Sequence, residues 1–324
     1  MGVGLVAHRG HIDASVERIL FLHPSDRPTR NSKKATKVVV EEVCVEEDEI
    51  LVPSKRPVPV PTVPLSIVLQ GKLHSSRKTL FLLPDGSGSA MAYARLPQID
   101  PTICLIALNS PHLRSTSAGS FTMEKIAAIW AAEIQSRQPH GPYHLGGWSA
   151  GGYHAFEVAK ILMRKGERVE KIVLIDSPCR LDYGALPLEV VDYLCANNLM
   201  GNWGNKGPPE WLVKHFQLSI QAIEKYTPTP MRQPDTPDVF IIWANEGVLR
   251  KEQRRPSELD MSVEITRMMI ERPETNGPLG WDKLFPGSKL QVARMPGNHF
   301  TMMQPPNCSS LSRLIRSSMR DRNN

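Results

Sequence analysis

Seven short apolar runs, separated by longer stretches with helical periodicity, constrain this chain more than any other feature. They lie at 65–71 (LSIVLQG), 78–86 (KTLFLLPDG), 102–110 (TICLIALNS), 143–149 (YHLGGWS), 169–177 (VEKIVLIDS), 238–246 (DVFIIWANE) and 289–297 (KLQVARMPG). Several are apolar at consecutive rather than alternate positions, the pattern of strands covered on both faces. Between them, 122–137 (TMEKIAAIWAAEIQSR) places Ile126, Ile129, Trp130 and Ile134 on one stripe behind Thr122 as N-cap. The stretch 151–166 ends with Arg164, Lys165 and Gly166, which suits the helix dipole and a C-terminal stop. Alternating β and α units predict an α/β fold with a mostly parallel, doubly wound sheet.

The flanks and one interior segment break this rhythm. Residues 1–64 combine a polar stretch (SDRPTRNSKKATK), an acidic run among valines, and PSKRPVPVPTVP, with five prolines in twelve residues. They read as a disordered tail and Pro-rich linker, leaving 65–324 as the folded domain. Residues 180–236 are rich in Asn, Gly and Pro but contain a helical piece, EWLVKHFQLSIQAIEKY. An insertion of this kind between sheet strands predicts a helical lid over the site, about 180–236.

Composition excludes several classes. The net charge is +6, but residues 1–64 are balanced, the C-terminal tail is basic, and no basic run is interleaved with aromatics, which argues against nucleic-acid binding. No apolar run approaches the roughly 18 residues of a membrane span, and the N-terminus lacks a signal-peptide pattern. A cytoplasmic location with no membrane association is the expectation. The five cysteines are widely spaced and form no CxxC pair, which argues against a disulfide framework and a structural zinc site, so no metal is expected.

The chemistry centres on Gly147-Trp148-Ser149-Ala150-Gly151. An apolar strand ends at Trp148 and a helix begins near Ala150, so Ser149 occupies a sharp strand-to-helix turn that presents its hydroxyl above the sheet. The Ala150 N–H, at a helix N-terminus, faces any oxyanion formed there. A serine hydroxyl needs a base, and the expected chain order is serine, acid, histidine. Of ten histidines, His299 follows the last strand in a glycine-containing loop before the final helix, where it can lie over the serine. His215 falls on the lid helix and reads as a surface or lid-packing residue. For the acid, Asp176 ends the strand after the elbow helix and Glu246 ends the next; Asp176 closes the cleaner buried strand and is preferred. Its task is to orient His299 and stabilise the imidazolium. A second oxyanion donor is expected from Gly86 or Ser87 in the loop after the second strand. That loop lacks the Gly-Lys-Ser/Thr ending of a phosphate-binding loop.

Four separated segments, LFLLPDGSGSAMAY, PYHLGGWSAGGYHAFEVA, VLIDSP and MPGNHFTMM, resemble the terminal thioesterase (Claisen-cyclase type) domain of iterative, non-reducing fungal polyketide synthases, in order and spacing over about 65–310. The resemblance implies an α/β-hydrolase fold with a lid over an acyl chamber, and an acid following the strand that carries Asp176. It implies no cofactor of the protein's own: the acyl chain arrives on the phosphopantetheine of an acyl carrier protein, passes to the serine, and leaves by hydrolysis, Claisen-type cyclisation or attack of a hydroxyl. The implied partner is an acyl carrier protein or polyketide synthase in trans, since no Asp-Ser-Leu carrier motif precedes the linker. The lid and Met302–Met303 are expected to shape the chamber, with plain core packing as the alternative. Alternative readings are a general carboxylesterase of the same fold, an editing thioesterase, and a non-catalytic binding protein.

Overall fold

A computed structural model describes residues 63–114, 121–200, 208–232, 236–250, 253–274 and 277–320, all within the unit Val60–Asn324. The tail and linker expected at 1–64 lie outside them, save the last two residues.

All seven apolar runs form strands: β1 (Ser66–Gln70), β2 (Lys78–Leu83), β3 (Ile103–Leu108), β4 (Tyr143–Trp148), β5 (Val169–Ile175), β6 (Asp238–Ala244) and β7 (Leu290–Met295). They make one sheet in the order β1-β3-β2-β4-β5-β6-β7. Only β1 runs antiparallel, against β3; the other neighbours are parallel. Every residue of β3 and β4 is buried, as strands covered on both faces require. The edge strand β7 is partly exposed.

Helices cover both faces. On one side α1 (Met123–Arg137) and α2 (Ala150–Arg164) pack with Phe81, Leu83, Ile106, Ile172, Leu174 and Ile241. On the other, α7 (Cys308–Ser318) packs with Leu80, Leu82, Leu105, Val173, Ile175 and Ile242. Alternate residues of β2 and β5 thus divide between two cores. Thr122 caps α1 by accepting from the Lys125 N–H. Ile126, Trp130 and Ile134 are buried as the helical stripe predicts, but Ile129 is exposed, because the apolar stripe is narrower than the residue types suggest. Four further helices, α3 (Leu188–Ala196), α4 (Glu210–Lys225), α5 (Glu264–Ile270) and α6 (Trp281–Leu284), lie between β5 and β7 in sequence. Parts of α3 and α5 share a third apolar cluster with Val248 and Leu259. This is the α/β-hydrolase arrangement that the resemblance implies.

Candidate active site

Parallel register gathers the predicted residues at one sheet edge. Leu83 pairs with Gly147, Trp148 with Ile175, Ile175 with Ile242, and Ala244 with Met295. The C-terminal ends of β2, β4, β5, β6 and β7 are therefore adjacent, and the loops that leave them form one cluster, where open α/β sheets bind ligands.

Ser149 sits between β4 and α2 with φ 56°, ψ −125°, a conformation that strains a non-glycine residue. Its N–H donates to Ile175 O at 2.9 Å. The turn closes because Gly147 has no side chain: a Cβ there would stand 2.2 Å from the Gly151 carbonyl group. Tyr93, fully buried, braces the same turn, accepting from Trp148 N–H at 2.9 Å and donating to Leu83 O at 2.6 Å. Ala150 opens α2, so its N–H is among those with no carbonyl one turn earlier.

Asp176 follows β5 with φ 45° and is buried. Its Oδ1 accepts from Ala244 N–H at 3.0 Å. Its Oδ2 accepts from His299 Nδ1–H at 2.7 Å and from Arg272 Nη2–H at 2.5 Å. Burial alone raises the Asp176 pKa, but the Arg272 guanidinium and the His299 hydrogen bond outweigh it and hold the carboxyl well below the usual carboxylate range. An ionised Asp176 only accepts, so His299 carries a proton on Nδ1 in this bond, which leaves Nε2 as the ring nitrogen not engaged by the acid. The His299 ring lies over Trp148, the residue before Ser149, with centroids 5.1 Å apart. Ser149 and His299 are not hydrogen-bonded to each other here; such contacts commonly tighten only when substrate binds.

Glu246, the alternative acid, is exposed and does not meet His299. It anchors the histidine loop instead: Oε1 accepts from Gly297 N–H at 3.0 Å, and its own N–H donates to Gly297 O at 3.0 Å. Asn298 then accepts from the N–H groups of Phe300 and Thr301. Met302 and Met303 are buried in the α7-side core with Leu311 and Ile315, so their packing role is with the sheet rather than a chamber.

Beyond β2, the Ser87 hydroxyl donates to Asp85 Oδ1 at 2.5 Å, and the Ser87 N–H also interacts with that carboxyl. Burial pushes the Asp85 carboxyl up to about 6 against these hydrogen bonds. His215 of α4 is buried and packs on this loop, as a lid-packing residue would. His154 of α2, also buried, approaches Pro84 O with Nδ1 at 2.8 Å and stacks on Trp130. Desolvation holds its pKa down to about 4. Arg272 lies outside the four quoted segments, and Tyr93 and His154 lie inside them with no role assigned there; the only signal for a role is that each is polar in an otherwise apolar or loop context.

A cavity of about 1070 Å³ opens at the opposite end of the strands, lined by Lys78, Lys160, Arg164 and Lys171 among others. None of Ser149, Asp176 and His299 lines it. Among the described residues there is no cluster of side chains able to hold a metal ion, and no helix is long and apolar enough to cross a membrane.

Comparison with known proteins bears on the fold and the family. Residues 78–185 match the family model described as Thioesterase domain. The non-reducing polyketide synthase terA of Aspergillus terreus is 40% identical over 251 residues, covering 77% of this chain and 12% of that protein. The bikaverin polyketide synthase bik1 of Gibberella fujikuroi is 38% identical over 260 residues, 78% of this chain and 13% of that protein. The chain thus spans about an eighth of the length of these curated relatives. Among solved structures, the NocB thioesterase domain of the nocardicin cluster superposes with a TM-score of 0.57 at 23% identity, covering 76% of this chain and 97% of that one. The RedJ thioesterase of the Streptomyces coelicolor prodiginine pathway gives 0.56 at 20% identity, covering 82% and 97%. Residues 78–185 thus belong to the thioesterase domain family, in a chain related by sequence to fungal non-reducing polyketide synthases.

Proposed function

We propose that the protein is a serine thioesterase that releases an acyl or polyketide chain from the phosphopantetheine thioester of an acyl carrier protein, through an acyl-serine intermediate. The observation that carries this reading is the Asp176–His299 hydrogen bond of 2.7 Å, stacked on the strained Ser149 elbow. In the reaction, His299 Nε2 takes the Ser149 proton as Oγ attacks the thioester carbonyl. Asp176 holds the ring in the required tautomer and stabilises the imidazolium. The oxyanion meets the Ala150 N–H and an N–H of the 86–87 loop. Because the Ser87 N–H is engaged by Asp85, Gly86 is the favoured second donor. Loss of one such donor typically costs about 10²–10³ in rate. His299 then protonates the departing thiolate, leaving acyl-Ser149.

Two release routes are open to the same machinery. His299 activates water for hydrolysis, or removes an activated C–H proton so that the carbanion attacks the ester carbonyl and displaces Ser149. The 180–236 insertion, with α3 and α4, acts as the lid over the chain. The carrier partner is supported by relatives that are polyketide synthases.

Intact-protein mass spectrometry tests the reading. Parent protein mixed with an aryl polyketide mimic on a pantetheine thioester is expected to gain the acyl mass, and Ser149→Ala is expected to gain none. A free acid or a cyclised product then identifies the release route. Cleavage of simple esters with no turnover of the thioester would instead favour a general carboxylesterase.

A further inference from the structure

Helix α4 reaches directly into the loop after β2. His215 Nδ1 lies 2.9 Å from Gly86 O, and Ser219 Oγ donates to the same oxygen at 3.2 Å. Both residues are buried, and they stand one helical turn apart on one face of α4. The glycines of Asp85-Gly86-Ser87-Gly88 admit this contact. A Cβ at Gly86 would stand 2.7 Å from the Phe216 ring, and one at Gly88 2.3 Å from the His215 ring. A carbonyl only accepts, so His215 carries its proton on Nδ1. Its Nε2 is buried and has no hydrogen-bond partner. An unmatched buried acceptor is unfavourable, and packing alone would favour Leu or Phe at this position. Burial also lowers the His215 pKa, keeping the ring neutral. The histidine is explained by the bond it makes to Gly86.

That bond fixes a direction. The Gly86–Ser87 peptide is planar and trans, so its carbonyl and N–H point opposite ways. With the carbonyl held to α4 by two donors, the Ser87 N–H is turned from α4, consistent with its interaction with Asp85. Phe216 against the Gly86 Cα fixes the other side of the residue. The Gly86–Ser87 peptide is therefore held on its carbonyl side by α4 and on its N–H side by Asp85.

We propose that His215 and Ser219 are positioning residues that orient the Gly86 N–H as an oxyanion donor, so that α4 completes the oxyanion site from the insertion. This rests on the thioesterase reading above. Its consequence is that any ligand that reseats α4 also resets the oxyanion donor, coupling chain occupancy to catalytic rate through one helix.

The test compares parent, Ser219→Ala, His215→Phe with Ser219→Ala, and His215→Asn, whose side-chain N–H falls near the position of Nδ1. The probe is p-nitrophenyl hexanoate, with kcat and KM measured separately and folding followed by far-UV circular dichroism. The double variant is expected to lose about tenfold to a hundredfold in kcat, the scale of a misplaced catalytic group, with KM within about twofold and the fold intact. His215→Asn is expected to recover most of that loss, and Ser219→Ala alone to lose severalfold. Unchanged kcat in the folded double variant, a loss confined to KM, or an Asn variant as slow as the Phe variant overturns the proposal. If the double variant does not fold, unchanged kcat in Ser219→Ala overturns it. A parent protein that forms no acyl-serine removes the thioesterase reading and this inference with it.

Discussion

Replacing Arg272 by methionine tests how the acid of the site is kept charged. The Arg272 and Asp176 side chains are 3% and 2% exposed and meet at 2.5 Å. Without the guanidinium, the carboxylate keeps Ala244 N–H at 3.0 Å and His299 Nδ1–H at 2.7 Å, but it loses the permanent positive charge of Arg272. Methionine refills much of the arginine stem, so packing loss is the smaller part. Breaking one side of a buried ion pair costs about 3–5 kcal/mol, and the intact pair of remaining donors places the expectation near the lower end.

The pH dependence identifies the cause. In the parent, the folded-state pKa of Asp176 lies below the unfolded value of about 3.9. Such a group contributes stability that is fully present above the unfolded pKa and lost as pH falls through the folded pKa. Without Arg272, burial is offset only by His299 and the Ala244 N–H, so the folded pKa moves up from its parent position. The variant then has less stability to lose than the parent as the pH falls and Asp176 takes up a proton. The gap between parent and variant is therefore widest near neutrality and narrows as the pH falls through the acid range. Urea titrations followed by tryptophan fluorescence at several pH values measure it. A gap below about 1 kcal/mol at neutral pH, the range of ordinary surface substitutions and small repacking, or a larger gap that does not change with pH, refutes the reasoning.

Three further outcomes are expected. Ser149→Gly abolishes acyl-enzyme formation yet raises stability by about 1 kcal/mol, because glycine adopts φ 56° without strain; a lower urea midpoint contradicts the strained-elbow account. Asp176→Asn lowers kcat by about 10⁴, as in other triads whose histidine tautomer is lost, whereas Glu246→Gln, which keeps an acceptor for the Gly297 N–H, stays within severalfold of parent; steady-state assay of both separates the orienting acid from the loop anchor. His154, depressed to about 4 by burial, stays neutral in the fold while the unfolded chain protonates below about 6.5, so stability falls as pH drops from about 6.5 to 4, by up to about 3 kcal/mol. In His154→Phe that part of the slope disappears; an unchanged acid limb of the urea midpoint argues against it.

Much of the fold was legible because local sequence states it. All seven strands appear where the apolar runs predict them; for β2 to β6 the reason is burial on both faces, which leaves few polar positions to confuse with a helix, whereas β1 and β7 at the sheet edges are partly exposed. Helix α1 begins right after its N-cap Thr122, and α2 ends at Arg164, just before the stop at Gly166. By contrast, α3, α5 and α6 are short, too brief for periodicity to separate them from loops. Ile129 was assigned to the buried stripe and is exposed, and of the two readings of Met302–Met303, chamber lining and core packing, their burial with Leu311 and Ile315 favours core packing. Hydrophobicity marks what can be buried but not against which neighbour.

For the proposed site, the sequence alone determined the serine elbow and pointed to Asp176 and His299 as its partners, because the elbow needs glycines at fixed spacing and the acid is sought at a strand end. What only the tertiary structure decided are the partners that come from distant segments. Arg272 reaches Asp176 across 96 residues, His299 across 123, and His215 reaches Gly86 across 129. Glu246, like Asp176, follows the end of a strand, yet it latches Gly297 because it leaves β6 beside β7. The physical reason is one of range. Backbone geometry and strand burial are set by residues within a turn or a strand of one another. The charge on a buried carboxylate and the direction of a loop peptide are set by whichever side chains the sheet order brings beside them, and no local pattern encodes that order.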